Sequence, residues 1–138
     1  MAEAAKLFGN VYQNDSLQFW ANHGTGRELD YERVRDFIGL SNTDLSRVAR
    51  VKKASVRLDD RIPPELKERL MQIANCCLLV AKYFEDDVEK TATWFRTANP
   101  MLGDLSPKDM IRYGRFAKLQ RFITEAVTEA DDRGIAAP

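Results

Sequence analysis

The sequence predicts an all-α protein, and three observations support this fold class. From Asp30 onward, apolar residues recur every three or four positions, which is the spacing of one face of an α-helix. Helix-capping residues and glycine or proline breaks separate these stretches from one another. No segment alternates between apolar and polar residues for long enough to predict a convincing strand.

The chain divides into four segments by pattern. They are an N-terminal arm (1–29), a unit of short helices (30–62), a long core or dimer helix (63–84) and a helical segment that ends in a tail (85–138). In the arm we expect one short helix around Ser16 to Asn22, followed by a break at Gly24-Thr25-Gly26. Phe19 and Trp20 are expected to dock on the core or on a partner, because exposed paired aromatics are unusual on a lone surface.

Capping residues mark three short helices in the second segment. Asp30 is predicted to cap a helix over Tyr31–Ile38, which Gly39 ends. Ser41 is predicted to begin a second helix, and a third is expected from about Lys53 to Leu58. Two short helices joined by a tight turn and preceded by a third indicate a helix-turn-helix unit.

The third segment predicts a helix from about Pro64 to Phe84. Its apolar positions are spaced alternately four and three residues apart, at Leu66, Leu70, Ile73, Cys77, Val80 and Phe84. Leu78, Leu79 and Ala81 widen this stripe, which indicates burial on more than one side. A central core helix is the first interpretation, and a dimer helix is the alternative.

The last segment predicts three helices and a tight corner. The first begins at Asp86 or Asp87 and reaches Arg96, and its inward residues are expected to be Val88, Ala92 and Phe95. Trp94 and Phe95 are expected to lock a small core. A short helix is predicted from Pro107 to Tyr113, and a last helix from about Arg115 to Ala130.

The corner between these helices has a clear local signature. Asn99-Pro100 forces a turn, because proline fixes its own φ and pushes the preceding residue out of the α region. Gly103 permits the positive φ that a tight loop needs. Ser106-Pro107 suits a helix start, and Asp109 lies at the third helical position, near the positive end of the helix dipole.

Residue by residue, the stretch from Trp94 to Leu119 resembles the C-terminal domain of the Xre/MbcA/ParS class of bacterial antitoxins. In that domain a Trp-aliphatic pair closes a helix, an Asn-Pro-x-Leu-Gly turn follows, and a Ser-Pro helix start precedes a helix-breaking Gly, here Gly114. The resemblance covers about Trp94–Ala136 best and Leu29–Phe84 more loosely. It implies an Xre-like helix-turn-helix unit followed by a small helical toxin-binding domain, with a RES-domain toxin as partner.

A cluster of basic residues coincides with the predicted helix-turn-helix unit. The candidate DNA-binding residues are Arg47, Arg50, Lys52, Lys53, Ser55 and Arg57. A local basic cluster is the expected footprint of phosphate contacts on a neutral protein. Ser55 and Arg57 could reach base edges, while Lys52 and Lys53 would hold phosphates. The alternative is a solvated basic face, since Asp59 and Asp60 follow immediately.

The C-terminal tail is the second candidate site. Glu125, Glu129, Asp131 and Asp132 make the end of the last helix acidic, and acids there oppose the helix dipole. By residue pattern alone this is an ordinary frayed terminus. The resemblance implies instead that the tail inserts into a toxin that consumes NAD or ADP-ribosylates its target. When the family's toxin-binding tail is matched to this chain by position, the candidate toxin-binding residues are Arg133, Gly134, Ile135 and Ala136.

Composition sets limits on function. The 138 residues carry no net charge, which excludes a globally basic nucleic-acid binder. With one histidine and no telling ligand spacing, we predict no enzyme, no catalytic residues, no metal and no cofactor. Cys76 and Cys77 are expected to be free buried thiols in a soluble cytoplasmic protein without a membrane span.

The sequence therefore predicts the antitoxin of a type II toxin–antitoxin system. It would occlude the active site of a RES-type toxin and repress its own operon by binding operator DNA as a homodimer. One alternative is a helix-turn-helix transcription regulator without a toxin partner. Another is a purely structural dimerisation module.

Overall fold

The computed structural model describes residues 16–23 and 26–133, which form a β-hairpin followed by six α-helices. The strands are β1 (Trp20–His23) and β2 (Gly26–Leu29). The helices are α1 (Tyr31–Ile38), α2 (Asn42–Ala49), α3 (Pro64–Tyr83), α4 (Val88–Arg96), α5 (Pro107–Arg112) and α6 (Phe116–Arg133). Single 3-10 turns lie at Lys53–Ser55 and Pro100–Leu102. The mostly helical structure agrees with the predicted all-α class.

The β-hairpin corrects the short helix that was expected around Ser16 to Asn22. β1 and β2 pair antiparallel, from Trp20 opposite Leu29 to His23 opposite Gly26. Strands of four residues are too short to show a two-residue alternation in the sequence, and aromatic residues favour strands. The expectation that the aromatic pair docks on the core is confirmed, because Phe19 is buried and Trp20 packs against the core half-buried.

Side-chain caps place the first two helices where the sequence predicted them. Asp30 accepts hydrogen bonds from the N–H groups of Glu32 and Arg33, and Gly39 ends α1 in the left-handed region at φ 87°. Ser41 and Asp44 form a reciprocal capping box at the start of α2. These local bonds satisfy backbone N–H groups that would otherwise lack partners at a helix start.

The prediction of a third short helix from Lys53 to Leu58 is wrong, because only a single 3-10 turn forms there, over Lys53–Ser55. Lys52 precedes this turn, and its side chain has no acceptor that could cap backbone N–H groups. Val56 then takes an extended conformation. The recognition helix of the predicted helix-turn-helix unit is therefore missing at this position.

α3 lies at the centre of the fold, as the wide apolar stripe predicted. All nine residues from Ile73 to Ala81 are buried, which requires neighbours on every side of the helix. α1, α2, α4 and α6 supply those neighbours. α5 packs against α2, α4 and α6 and joins the two halves of the chain.

Of the three α4 residues that were expected to point inward, only Phe95 is fully buried. Thr91 and Phe95 are fully buried, whereas Val88, predicted to point inward, is 44% exposed. Phe95 stacks edge-on against Phe37 of α1, with ring centroids 6.4 Å apart. Phe95 is therefore the residue through which α4 anchors in the core.

Phe95→Ala is expected to lower the free energy of unfolding by about 3–5 kcal/mol, because it removes a fully buried ring and leaves a cavity. Val88→Ala, on the same helix, is expected to change it little, because Val88 is exposed. Urea unfolding followed by far-UV circular dichroism measures both. Equal losses in the two variants would contradict this account of how α4 packs.

Candidate functional site

The corner between α4 and α5 folds as its sequence predicts. The Asn99 side chain accepts a hydrogen bond from the Met101 N–H at 2.9 Å. Gly103 takes a left-handed conformation at φ 68°. Ser106 caps α5 by accepting from the Asp109 N–H at 3.0 Å. Gly114, at φ 76°, then separates α5 from α6, so each motif residue has the local role expected of it.

The basic cluster is only partly available to a ligand. Arg47 donates from Nη1 to the backbone oxygen of Arg112, at 2.8 Å. Arg57 donates from Nε to Oδ1 of Asp59, at 2.8 Å, and from Nη2 to the second carboxylate oxygen. This hydrogen-bonded pair raises the pKa of Arg57 and lowers that of Asp59. The nearby acid thus pairs with the arginine and competes with any phosphate there.

The remaining candidates in the cluster form an exposed loop after α2. Arg50, Lys52, Lys53 and Ser55 are all exposed. Arg50 ends α2 in a left-handed conformation, at φ 57°, which is uncommon for a residue other than glycine. We call Arg50, Lys52 and Lys53 the basic loop.

A buried carboxylate links the first helices to the C-terminal half. Asp44 Oδ1 lies 3.4 Å from Nε of Arg112, and the Asp44 side chain is only 8% exposed. Arg112 also donates from Nη1 to Asp109, at 3.2 Å. With the Arg47 contact to the Arg112 backbone, α2 therefore holds the end of α5 at two points.

The pKa of the Asp44 carboxyl is lowered from its ordinary value. Burial by itself would raise this pKa, but hydrogen bonds from Ser41, together with the hydrogen bond and positive charge of Arg112, outweigh that effect. The folded protein therefore favours the ionised carboxylate. Stability from this group is present above the unfolded-state pKa and is lost as the pH falls through the folded-state pKa.

An apolar groove beside the corner was not predicted from the sequence. It has a volume of about 240 Å³ and lies between the end of α3, the start of the corner and the second half of α6. Its lining residues include Tyr83, Phe84, Trp94, Met101 and Phe122. The groove gives the C-terminal half a concave apolar surface.

One residue of the groove, Trp94, differs from its predicted role. Trp94 was expected to lock the core, but it is half-buried and lies on the groove wall, with its ring edge-on to Phe95 at 5.1 Å. Met101 is 75% exposed at the groove. The sequence feature that could have indicated the groove was Phe122. This apolar residue widens the α6 stripe beyond what one contact face needs.

Only Arg133 of the predicted toxin-binding residues lies within the described chain. α6 reaches Arg133, while Gly134, Ile135 and Ala136 fall outside the described residues. Ala130 is buried, and the candidates begin three positions beyond it along the chain.

The cysteines are free and buried, as predicted. Burial raises the pKa of the Cys76 thiol to about 12 and raises that of Cys77 as well. Within residues 16–23 and 26–133, no cluster of three or more His, Cys, Asp or Glu residues is placed to hold a metal ion. No helix in that part of the chain is long and apolar enough to cross a membrane.

No protein family, curated protein or solved structure matches this chain. The resemblance to the Xre/MbcA/ParS antitoxins therefore depends on the motif residues between Trp94 and Leu119.

Asp44→Asn is expected to lower the free energy of unfolding at neutral pH by about 1–3 kcal/mol, since it weakens buried hydrogen bonds to a charged group. Below about pH 4 the wild-type protein also loses this contribution, so the two stability curves should converge on acidification. Urea unfolding at several pH values measures the convergence.

The matched control is Asp36→Asn, which alters an exposed carboxylate paired with the neighbouring Arg35. It should leave the pH dependence of stability unchanged. A constant gap between wild type and Asp44→Asn down to the lowest pH would contradict the lowered pKa of Asp44.

Proposed function

We propose that this chain is the antitoxin of a type II toxin–antitoxin system. It neutralises a RES-type toxin, which consumes NAD or ADP-ribosylates its target, by occluding the toxin's active site with the tail Arg133–Ala136. The observation that carries the proposal is the corner, where Asn99, Gly103 and Ser106 have the turn and cap roles that the antitoxin motif requires of them.

The helix before the tail supports this role. α6 is 18 residues long, which corresponds to about 27 Å, and it packs on the core as far as Ala130. A tail that follows a packed helix starts from a fixed position, which lowers the entropy lost when it enters a partner. The helix that leads to the tail carries the exposed acids Glu125 and Glu129, whose charge would complement the electropositive site that NAD phosphates require.

Autorepression is the second part of the proposal, and the basic loop supports it. Three exposed cations on one loop provide phosphate contacts without a recognition helix after Lys52. The same loop favours the alternative function, a transcription regulator without a toxin partner. Toxin neutralisation distinguishes the two functions, because only the antitoxin needs the tail.

Deletion of residues 133–138 is expected to leave the fold intact and to abolish neutralisation. Loss of a buried binding segment costs about 2 kcal/mol or more, so affinity for the toxin should fall at least about 30-fold. The measurement is growth and pull-down after co-expression with the product of the neighbouring gene.

The control deletion removes only Ala137 and Pro138, which lie beyond the four candidate residues, and it should still protect. Melting temperatures of both shortened chains verify that they fold. Full protection by the chain that ends at residue 132 would reject occlusion by the tail.

Lys52→Ala with Lys53→Ala is expected to weaken binding to promoter DNA and to reduce the slope of log affinity against log salt by about 2, one unit per lost phosphate contact. Arg57→Ala is the matched control, because Asp59 already holds its guanidinium group. A fluorescence anisotropy titration at several salt concentrations measures both variants. Equal losses in the two variants, or none in either, would remove the basic loop from the DNA interface.

A further inference from the structure

We propose that the turn between α5 and α6 binds a single strand of nucleic acid, with one base stacked on Tyr113 and phosphates held by the cations around it. We call this region the junction surface and define it by Arg47, Tyr113, Arg115 and Lys118. The inference goes beyond the proposed function, because it requires neither a toxin nor operator DNA.

The turn brings an aromatic ring and two cations to one place. Gly114 takes a left-handed conformation at φ 76°, so the chain changes direction between Tyr113 and Arg115. The backbone oxygen of Arg115 accepts the first hydrogen bond of α6. Lys118 follows three positions later, which places it on the same side of the start of α6 as Arg115.

Arg112 ties α2 to this turn and pairs with the acids beside it. Its backbone oxygen accepts a hydrogen bond from Nη1 of Arg47 at 2.8 Å, which adds a third cation to the junction surface. Its guanidinium lies 3.4 Å from the Asp44 carboxylate and 3.2 Å from that of Asp109. Both carboxylates are therefore already balanced by a positive charge of this chain.

The charge around the junction surface is strongly positive. Residues 41–53 contain four Lys or Arg residues and one acid, and residues 106–121 contain five Lys or Arg residues and one acid. The three cations of the junction surface are exposed, and among the described residues none of them forms an ion pair. On a chain with no net charge, such a local excess indicates a polyanionic partner.

Tyr113 adds an exposed ring to this basic surface. It is 53% exposed, whereas the other exposed large apolar residues of the described chain, Val88 and Met101, are not aromatic. The guanidinium carbon of Arg112 lies over the ring at 5.8 Å from its centre, and more than half of the tyrosine stays open to solvent. Proteins that bind single strands combine such rings, on which bases stack, with cations that follow the phosphates.

These features favour a single strand over a duplex. A duplex keeps the faces of its bases inside the stack, whereas a single strand can present a base to Tyr113. Readout of a duplex typically uses a helix or a β-ribbon that enters the major groove. α5 has only six residues and packs against α2, α4 and α6, so it is not free to enter a groove.

Fluorescence anisotropy titrations with labelled oligothymidylate and oligouridylate of about 10 nucleotides test the proposal, because single-strand sites cover such lengths. Tyr113→Ala is expected to weaken binding at least about fivefold and to leave the slope of log affinity against log salt unchanged, since it removes only a stacked base. Arg115→Ala with Lys118→Ala is expected to reduce that slope by about 1.4, with about 0.7 for each lost phosphate contact. Tighter binding of one oligonucleotide assigns the strand as DNA or as RNA.

Two controls separate stacking and local charge from general effects. Tyr113→Phe keeps the ring and should retain the affinity. Lys82→Ala with Lys90→Ala removes the same charge at exposed positions and should leave the slope unchanged. Lys82 lies about 20 Å along α3 from Arg69, which contacts the start of α6. Circular dichroism verifies that each variant folds.

Three outcomes would overturn the proposal. They are the absence of binding to either oligonucleotide by the wild type, an unchanged affinity in Tyr113→Ala, and tighter binding of the wild type to a duplex of the same length. The last outcome would assign the junction surface to double-stranded DNA. Since the probes contain no promoter sequence and the assay contains no toxin, each of these results leaves the proposed neutralisation and autorepression untouched.

Discussion

Complete burial of the middle of α3 is the constraint on which the rest of the fold depends. Nine consecutive buried residues leave no side of that helix for water, so four other helices must cover it. Each covering helix contributes its own buried residues, such as Val34 and Ile38 of α1 and Phe95 of α4. Burial of a large aliphatic or aromatic side chain stabilises a protein by about 1.5–3 kcal/mol, and one central helix gathers many of these contributions. The two candidate sites are therefore held by one core.

The contact between α2 and α5, which connects the N-terminal and C-terminal halves of the chain, adds specificity to this packing. Asp44 at the start of α2 and Arg112 at the end of α5 are far apart in sequence, and their contact fixes how the helices meet. Arg47 contributes to the same junction through its hydrogen bond to the Arg112 backbone, although its side chain is exposed. Arg47, which the charge pattern assigned to DNA binding, thus makes a contact within the protein. Along the chain, the basic loop follows the α2 side of this junction and the corner precedes its α5 side.

The sequence predicted those parts of the fold that are set by local chemistry. The limits of α1 follow from Asp30 and Gly39, and the corner follows from Asn99, Gly103 and Ser106. The β-hairpin was missed because four-residue strands show too little alternation. The third helix was overpredicted at a turn that has no side-chain cap and no buried residue to hold a longer helix on the core.

The sequence alone also did not distinguish the roles of residues that are neighbours along the chain. Trp94 and Phe95 are both large and aromatic, and only the three-dimensional packing places Phe95 in the core and Trp94 at the groove. The Arg57–Asp59 pair is a similar case, because both charges are visible in the sequence but the orientation of their side chains is not. The groove joins residues from three distant segments, so no local pattern could predict it. The tail residues Gly134 to Ala136 lie beyond the described chain, and their assignment stays a prediction.

The adjacent cysteines have a practical consequence for measuring dynamics. Alkylating reagents attack the thiolate, which burial suppresses at Cys76 and Cys77, both at the centre of α3. Modification therefore requires an opening that exposes the middle of the core, and fraying of the helix ends does not suffice. The rate of thiol labelling under native conditions thus reports how often the whole core opens. The two cysteines therefore act as intrinsic probes of global unfolding, and no added label is needed.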